Sequence, residues 1–474
     1  MATATPAYGA KVTMFRHAET HVPPAPRSVE ETGLAFLSLI ELLTKILFVR
    51  GQLRLAELSA HLKLPASILE KLLAFMRAER LCEVVRRGGS DGDIDYQLTD
   101  AGRERAAGYL ARNRYAGAAP VSLESYAQVV GRQSVAGMRI TRDDAARGLD
   151  GIVVKPQVRD QLGAAMNSGR AIFVYGPAGS GKTFLAERLC RLLTGSVAIP
   201  HAIAVDDEIV HVFDPHVHRP LDTGAQTADA LDRRQLHDTR WVLCERPVVL
   251  TGGELTLSML DLDFDRSAGF YRAPPHLKAN NGILIVDDLG RQLVSPRELM
   301  NRWIVPLDRR RDYLTFHSGY KFTVPFDVVV VFSTNLKPGE LADPAFMRRL
   351  GHKIYIGPLT EDEYRAVFLQ VCEELGMVYA EPMFQYLLRH HHDVERRPLL
   401  ACYPRDILGQ VHDFAVYAGT APQLTPEALD RAWDNYFIAS RGDMDVPFLA
   451  GREPREHGAR TDGEAARLNK EIPE

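Results

Sequence analysis

The sequence lacks any apolar run of the roughly 18 residues needed to cross a bilayer, and its first residues carry no hydrophobic signal core, so no membrane insertion is expected. Cysteine is scarce. Cys82, Cys190, Cys244, Cys372 and Cys402 are scattered, odd in number and never spaced C-x-x-C. That excludes a disulfide framework and reads as reduced thiols in the cytoplasm. Neither sign of charge is in excess: 57 Lys and Arg stand against 61 Asp and Glu, for a formal charge of −4. No global field therefore draws the chain to nucleic acid or to anionic membrane. No internal repeat is found.

What is present is ordinary globular composition over 474 residues, 46% of them hydrophobic. That is too long for one core and leads us to expect about three folded units. Residues 1–27 are Ala/Pro-rich and read as a flexible leader. From Ser28-Val29-Glu30-Glu31, which has capping-box spacing, an apolar pattern runs from Leu34 to Phe48 and predicts a first helix. A short strand, Gly51 to Leu55, precedes a second helix from Ala56 to Leu62. Pro65 suits the first turn of a third helix reaching Arg80. Leu81–Val85 and Ile94–Leu98 flank the turn Gly88-Gly89-Ser90-Asp91-Gly92, and a last helix begins at Thr99. Three helices and a hairpin over 28–112 resemble a winged-helix domain. Winged helices often read DNA with the third helix. Between Glu30 and Arg112, however, 12 Lys and Arg face 12 Asp and Glu, so phosphate attraction is weak and DNA is a poorly supported partner.

Residues 113–139 read as a linker with a short helical piece near Leu123–Val130. The stretch Gly148–Val154 and the helix after it lead into the strand Ala171–Tyr175. There follows Gly176-Pro177-Ala178-Gly179-Ser180-Gly181-Lys182-Thr183, a match to G-x-x-x-x-G-K-[ST], and then a helix opened by Phe184; these nine residues are expected to bind the nucleotide cofactor. Glycines let the backbone curl with its N–H groups inward, and the helix turns its positive end to the same point. Lys182 adds a charge for the β/γ-phosphates, and the Thr183 hydroxyl suits Mg²⁺.

After that helix the text becomes β-rich, with a hairpin predicted from Ala202–Val205 and Glu208–Phe213. Trp241–Ser258 reads as further strands turning at Thr251-Gly252-Gly253. His201, His211, His216 and His218, and later His390-His391-His392, read as ordinary surface histidines, since no complete ligand set accompanies them.

Gly282–Val286 is a buried parallel strand ending in Asp287-Asp288, a Walker B pattern. Asp287 is expected to hold Mg²⁺, directly or through water, and Asp288 to polarise the attacking water. Asp is one methylene shorter than the usual Glu. Val328–Thr334 is a second such strand, and Asn335 at its end would orient water near a γ-phosphate. In Asp343-Pro344-Ala345-Phe346-Met347-Arg348-Arg349, Arg349, with Arg348 as the close alternative, looks like an arginine finger for a neighbouring site. Residues 359–440 read as helical, opened by Thr360-Glu361-Asp362-Glu363. Arg405, in Pro404-Arg405-Asp406 at a helix start, would face nucleotide. Residues 441–474 are polar and expected to be disordered.

Walker A, Walker B, a Ser-Thr-Asn strand, paired arginines and Pro-Arg-Asp occur in that order over about 140–440. This resembles the AAA+ ATPase family, in particular bacterial winged-helix, MoxR-like and chaperone-like members. The resemblance implies a doubly wound αβα P-loop core over 140–358, a helical lid over 359–440, ATP and Mg²⁺ as ligands, and a homo-oligomeric ring acting on a protein client. It makes Lys182 and Thr183 Walker A, Asp287 and Asp288 Walker B, Asn335 sensor 1, Arg405 sensor 2 and Arg349 the finger. A Gly-Ala-Phe-Thr-Gly-Ala loop, as in enhancer-binding activators, is absent. The rival expectation is a nucleotide-gated winged-helix DNA-binding regulator that hydrolyses slowly or not at all.

Overall fold

A computed structural model describes residues 22–87, 94–221, 237–341 and 344–437. The expected leader up to 21, the turn Gly88–Gly92, Asp343 and the expected tail lie outside the described residues. The chain forms two compact units: one of residues up to 368 together with 398–403, the other of 369–397 with the residues from 404 on.

The first unit opens with α1 (Phe36–Arg50), β1 (Leu53–Arg54), α2 (Leu55–Leu62), α3 (Ala66–Ala78), the hairpin β2 (Cys82–Arg87) and β3 (Ile94–Leu98), and α4 (Asp100–Arg112). Ser28 does cap the chain, through the Glu31 N–H, but only for a single turn, Glu30–Thr32; α1 starts at Phe36. Pro65 sits just before α3, not inside it, and α3 ends at Ala78. Its apolar face of Ile68, Leu69, Leu72, Leu73 and Met76 is buried, at the 3.6-residue spacing of an amphipathic helix. Lys71, Arg77 and Arg80 are exposed, with Glu70 and Glu79 exposed among them. Thr99 caps α4 by accepting from the Gly102 N–H.

Residues 113–139 prove to be more than a linker. Tyr115 and Ala119 join the core of the preceding helices. β4 (Val121–Ser122) pairs in parallel with a strand some 80 residues on, and α5 (Leu123–Arg132) buries Tyr126, Val129 and Val130 against the same sheet. α6 (Arg142–Gly148) and α7 (Pro156–Ser168) lead to β5 (Ile172–Tyr175) and α8 (Lys182–Arg188).

The predicted β-rich insertion contains β6 (Val197–Pro200), β7 (Ala202–Val205), β8 (Glu208–His211) and β9 (Trp241–Cys244). β7 and β8 form the expected hairpin. β10 (Val248–Thr251) does not continue the insertion: it is an edge strand of the central sheet, and Thr251 is its end. β11 (Asp263–Asp265), β12 (Phe270–Arg272) and α9 (Pro275–Lys278) follow. The second sheet has the order β11-β12-β8-β7-β4. Next come β13 (Ile283–Val286), α10 (Pro296–Arg309), the hairpin β14 (Arg311–Thr315) and β15 (Lys321–Pro325), β16 (Val329–Thr334), α11 (Pro338–Leu341), α12 (Pro344–Met347) and β17 (His352–Tyr355). Leu314, Phe316, Phe322 and Val324 of that hairpin pack into the core of the second sheet.

The central sheet is parallel throughout, in the order β10-β13-β16-β5-β17. Its strands are apolar along their length because both faces are covered. The two-residue period divides them between two cores. Ile172, Val174, Ile283, Ile285, Val329 and Val331 face one. Phe173, Leu284, Val286, Val330 and Phe332 face the other. This is a doubly wound α/β fold. Non-sequential strand order puts the ends of β5, β13 and β16 side by side, where such sheets bind ligands.

The buried pair Asp238–Arg240 ties the first unit together. The Arg240 guanidinium meets both Asp238 oxygens (2.8–3.1 Å) and donates to the carbonyls of Thr32 and Pro120. The second unit is helical: the end of α13 (Glu361–Glu374), α14 (Glu381–Tyr386), most of α15 (Cys402–Tyr417), and α16 (Pro426–Tyr436), around buried Phe384, Leu387, Leu408 and Trp433. The histidine reading needs correction. His391 and His392 are buried against Trp433, and His218 is buried with its Nδ1 accepting from the Asp214 N–H.

Candidate functional site

The site begins where β5 gives way to Gly176. The Gly176 N–H still bonds to the Thr334 carbonyl, which keeps the loop in register with β16. Gly176, Gly179 and Gly181 have φ of 153°, 79° and 90°, a region that L side chains resist. A Cβ on Gly176 would lie 2.0 Å from the Ile356 carbonyl oxygen. Gly181 is the N-cap of α8, so the helix's positive end opens onto the loop. Pro177 is half-buried and Ala178 exposed. Phe184, expected to help bind the cofactor, is 47% exposed, with the Arg188 guanidinium over its ring.

Lys182 is 6% exposed. Its ammonium donates to the Pro177 carbonyl (2.9 Å) and to Asn335 Oδ1 (2.7 Å). Burial lowers its pKa, while Asp287 and Asp288 pull it back up. Asn335 then uses its amide nitrogen to donate to Asp288 Oδ1 at 3.3 Å. One amide thus spans the ends of β13 and β16 and joins the ammonium to the carboxylate. Asp288 has φ 48°, a left-handed conformation that short Asp and Asn side chains tolerate best. The Thr183 hydroxyl donates to Asp287 Oδ2 at 2.8 Å.

These groups fit a nucleotide phosphate with Mg²⁺. A hydroxyl and a carboxylate oxygen 2.8 Å apart match the spacing of neighbouring ligands on an octahedral Mg²⁺, roughly 2.9 Å for metal–oxygen bonds of about 2.05 Å. The buried Ser180 Oγ has no hydrogen-bond partner among the described residues, as expected of a loop atom shaped around a ligand.

Three features were not found from sequence. Gln292, buried, donates to the carbonyls of Asp287 and Gly252 and accepts from the Gly290 N–H, so it sets the loop after β13. Arg291 stands 3.7 Å from Asp288. The strap Leu400-Ala401-Cys402 lies on the P-loop: the Cys402 N–H donates to the Gly179 carbonyl, and a Cβ on Gly179 would meet the Cys402 sulfur at 2.5 Å. None of the three lies in a regular spacing that would mark it in the sequence.

Arg348 and Arg349 stand apart from this constellation. They line a depression with Gly169, Arg170 and Ala171, which precede β5, whereas the P-loop follows it. Four strand residues separate the two places, about 13 Å. Arg349 is ion-paired to Asp308 at 2.8 Å. Arg405 lies in the second unit and is paired with Glu374.

Fold and motif together define a P-loop α/β protein. Residues 360–435 match a family described as "Domain of unknown function (DUF8689)". Comparison with curated proteins gives no match. Among solved structures, the chain is similar to NtrX from Brucella abortus in complex with ADP, at 15% identity and a TM-score of 0.38 over 61% of this chain and 56% of that one. It is also similar to the RuvB Holliday junction branch migration motor of Thermotoga maritima, at 12% identity and a TM-score of 0.35 over 60% and 71%. The first match takes in little more than half of the NtrX chain.

Proposed function

We propose that this chain is an AAA+ Mg²⁺-dependent ATPase whose hydrolysis drives a conformational cycle acting on a partner protein. The observation that carries this reading is the path from Lys182 through Asn335 to Asp288 at the ends of adjacent strands. Lys182 and the loop N–H groups hold the phosphate chain. Thr183 and Asp287 would hold Mg²⁺, whose charge would offset that of the phosphates. Asp288, aimed by Asn335, orients the attacking water. Electrostatics and positioning carry phosphoryl transfer, so this arrangement suffices without covalent chemistry.

Arg349, or Arg348, serves a neighbouring subunit. Its place beside the start of β5, some way from its own P-loop, supports a composite site in a homo-oligomeric ring. Arg405 links the helical unit to nucleotide state. The N-terminal helices and hairpin act as a winged-helix docking module for a protein partner. The alternation of Lys71, Arg77 and Arg80 with Glu70 and Glu79 favours protein over DNA. The test is a steady-state ATPase assay with Mg²⁺. Wild type should exceed Lys182→Ala by at least about tenfold, the least expected from losing a charge-assisted phosphate contact. Equal rates with assembly intact would overturn the reading.

A further inference from the structure

The depression at the start of β5 has a volume of about 240 Å³ and is lined by four arginines, Arg170, Arg310, Arg348 and Arg349. Against them stands one lining carboxylate, Asp308, already committed to Arg349. Among the described residues no carboxylate pairs with Arg170, Arg310 or Arg348. Three like charges gathered around one cavity repel each other, an effect that solvent screens in part because Arg170 and Arg348 are exposed. An anion of several charges removes it.

Arg310 is held at a helix end. It closes α10 with φ 53°, its N–H donating to the Pro306 carbonyl. Gly or Asn is the usual residue at this left-handed position. Its guanidinium lies on the Gly169 carbonyl, directly before Arg170. The helix end thus places one cation beside a second. The planar guanidinium fork suits phosphate oxygens, two at a time.

We propose that this cavity binds a phosphate chain, with Arg170 and Arg310 as its principal cations in addition to the finger arginines. The phosphate chain belongs either to nucleotide held by a neighbouring copy or to a free phosphorylated ligand. The first source rests on the ATPase reading above; the second does not.

Inorganic tripolyphosphate is the probe. It is titrated calorimetrically into full-length Lys182→Ala protein, in which the P-loop is weakened, and into the same protein carrying Arg170→Glu or Arg310→Ala. Arg170 is exposed, so its substitution tests the cavity even where Arg310→Ala impairs folding. Each substitution should weaken tripolyphosphate binding at least tenfold. Binding unchanged by both would overturn the proposal. In the second arm, Lys182→Ala chains are mixed with Arg170→Glu chains. Hydrolysis restored by mixing assigns the cavity to a neighbour's nucleotide. Cavity-dependent titration without restored hydrolysis assigns it to a free ligand. A wild type that hydrolyses nothing sinks the ATPase reading and leaves the titration to decide this one.

Discussion

Asn335 donates its amide to Asp288 at 3.3 Å while accepting from Lys182 at 2.7 Å, so the carboxylate's aim depends on the same side chain that holds the ammonium. Asn335→Ala should therefore cut ATP turnover by about 100-fold, the low end of what a misplaced general base costs, with nucleotide affinity changed by no more than about threefold. Turnover and equilibrium binding of a fluorescent nucleotide check this. Parallel losses would mean that Asn335 only braces the loop.

Asp288 occupies left-handed backbone. Asp288→Glu regains the usual reach but places a longer side chain at φ 48°, a cost of about 1 kcal/mol. Urea unfolding should show that loss, with turnover retained or raised. Asp288→Asn should keep stability and lose turnover at least tenfold.

Gly176→Ala drives a Cβ into the Ile356 carbonyl, a backbone atom that cannot swing aside. We expect a loss of about 3 kcal/mol or insoluble protein. Gly181→Ala meets only ordinary contact with Ala401, so its φ of 90° is the sole penalty and the protein should fold. Thermal melts of the two variants compare the effects.

Arg240→Met leaves Asp238 buried without its partner and should cost about 3–5 kcal/mol. Adding Asp238→Leu removes the stranded charge and should recover much of it. Denaturant titration of the single and double variants distinguishes a buried-charge penalty from lost packing.

His392 is buried and its pKa is pushed down to about 4, with burial the main cause. The unfolded chain takes up this proton first, near pH 6.5, so the stability contributed by neutral His392 is complete above that pH. It is lost as pH falls toward 4, by up to about 3 kcal/mol. His201, also at about 4 through burial, adds to the trend in the other unit. Melting temperatures from pH 7 to 4.5 should fall, and less steeply in His392→Phe.

Much of the site is legible in the sequence because each part is local: a glycine loop between strand and helix, and apolar runs ending in Asp287-Asp288 or Asn335. The rest depends on distant partners. β4 is two residues long and acquires its meaning only by pairing with β7, so 113–139 reads as a linker. Thr251 reads as a turn because nothing nearby reveals that β10 lies beside β13. Gln292 reaches Gly252 across 40 residues. His391 and His392 look polar in sequence, and Trp433, the residue that covers them, comes some 40 residues later.

The Arg240 staple also bears on transmission. Its guanidinium holds the Thr32 and Pro120 carbonyls, at opposite ends of the N-terminal helices, and β4 continues from them into the second sheet. A module hung on a loose tether can only be towed. One welded at both ends acts as a stiff arm, so a pull on helices α1 to α3 is felt in the sheet without slack.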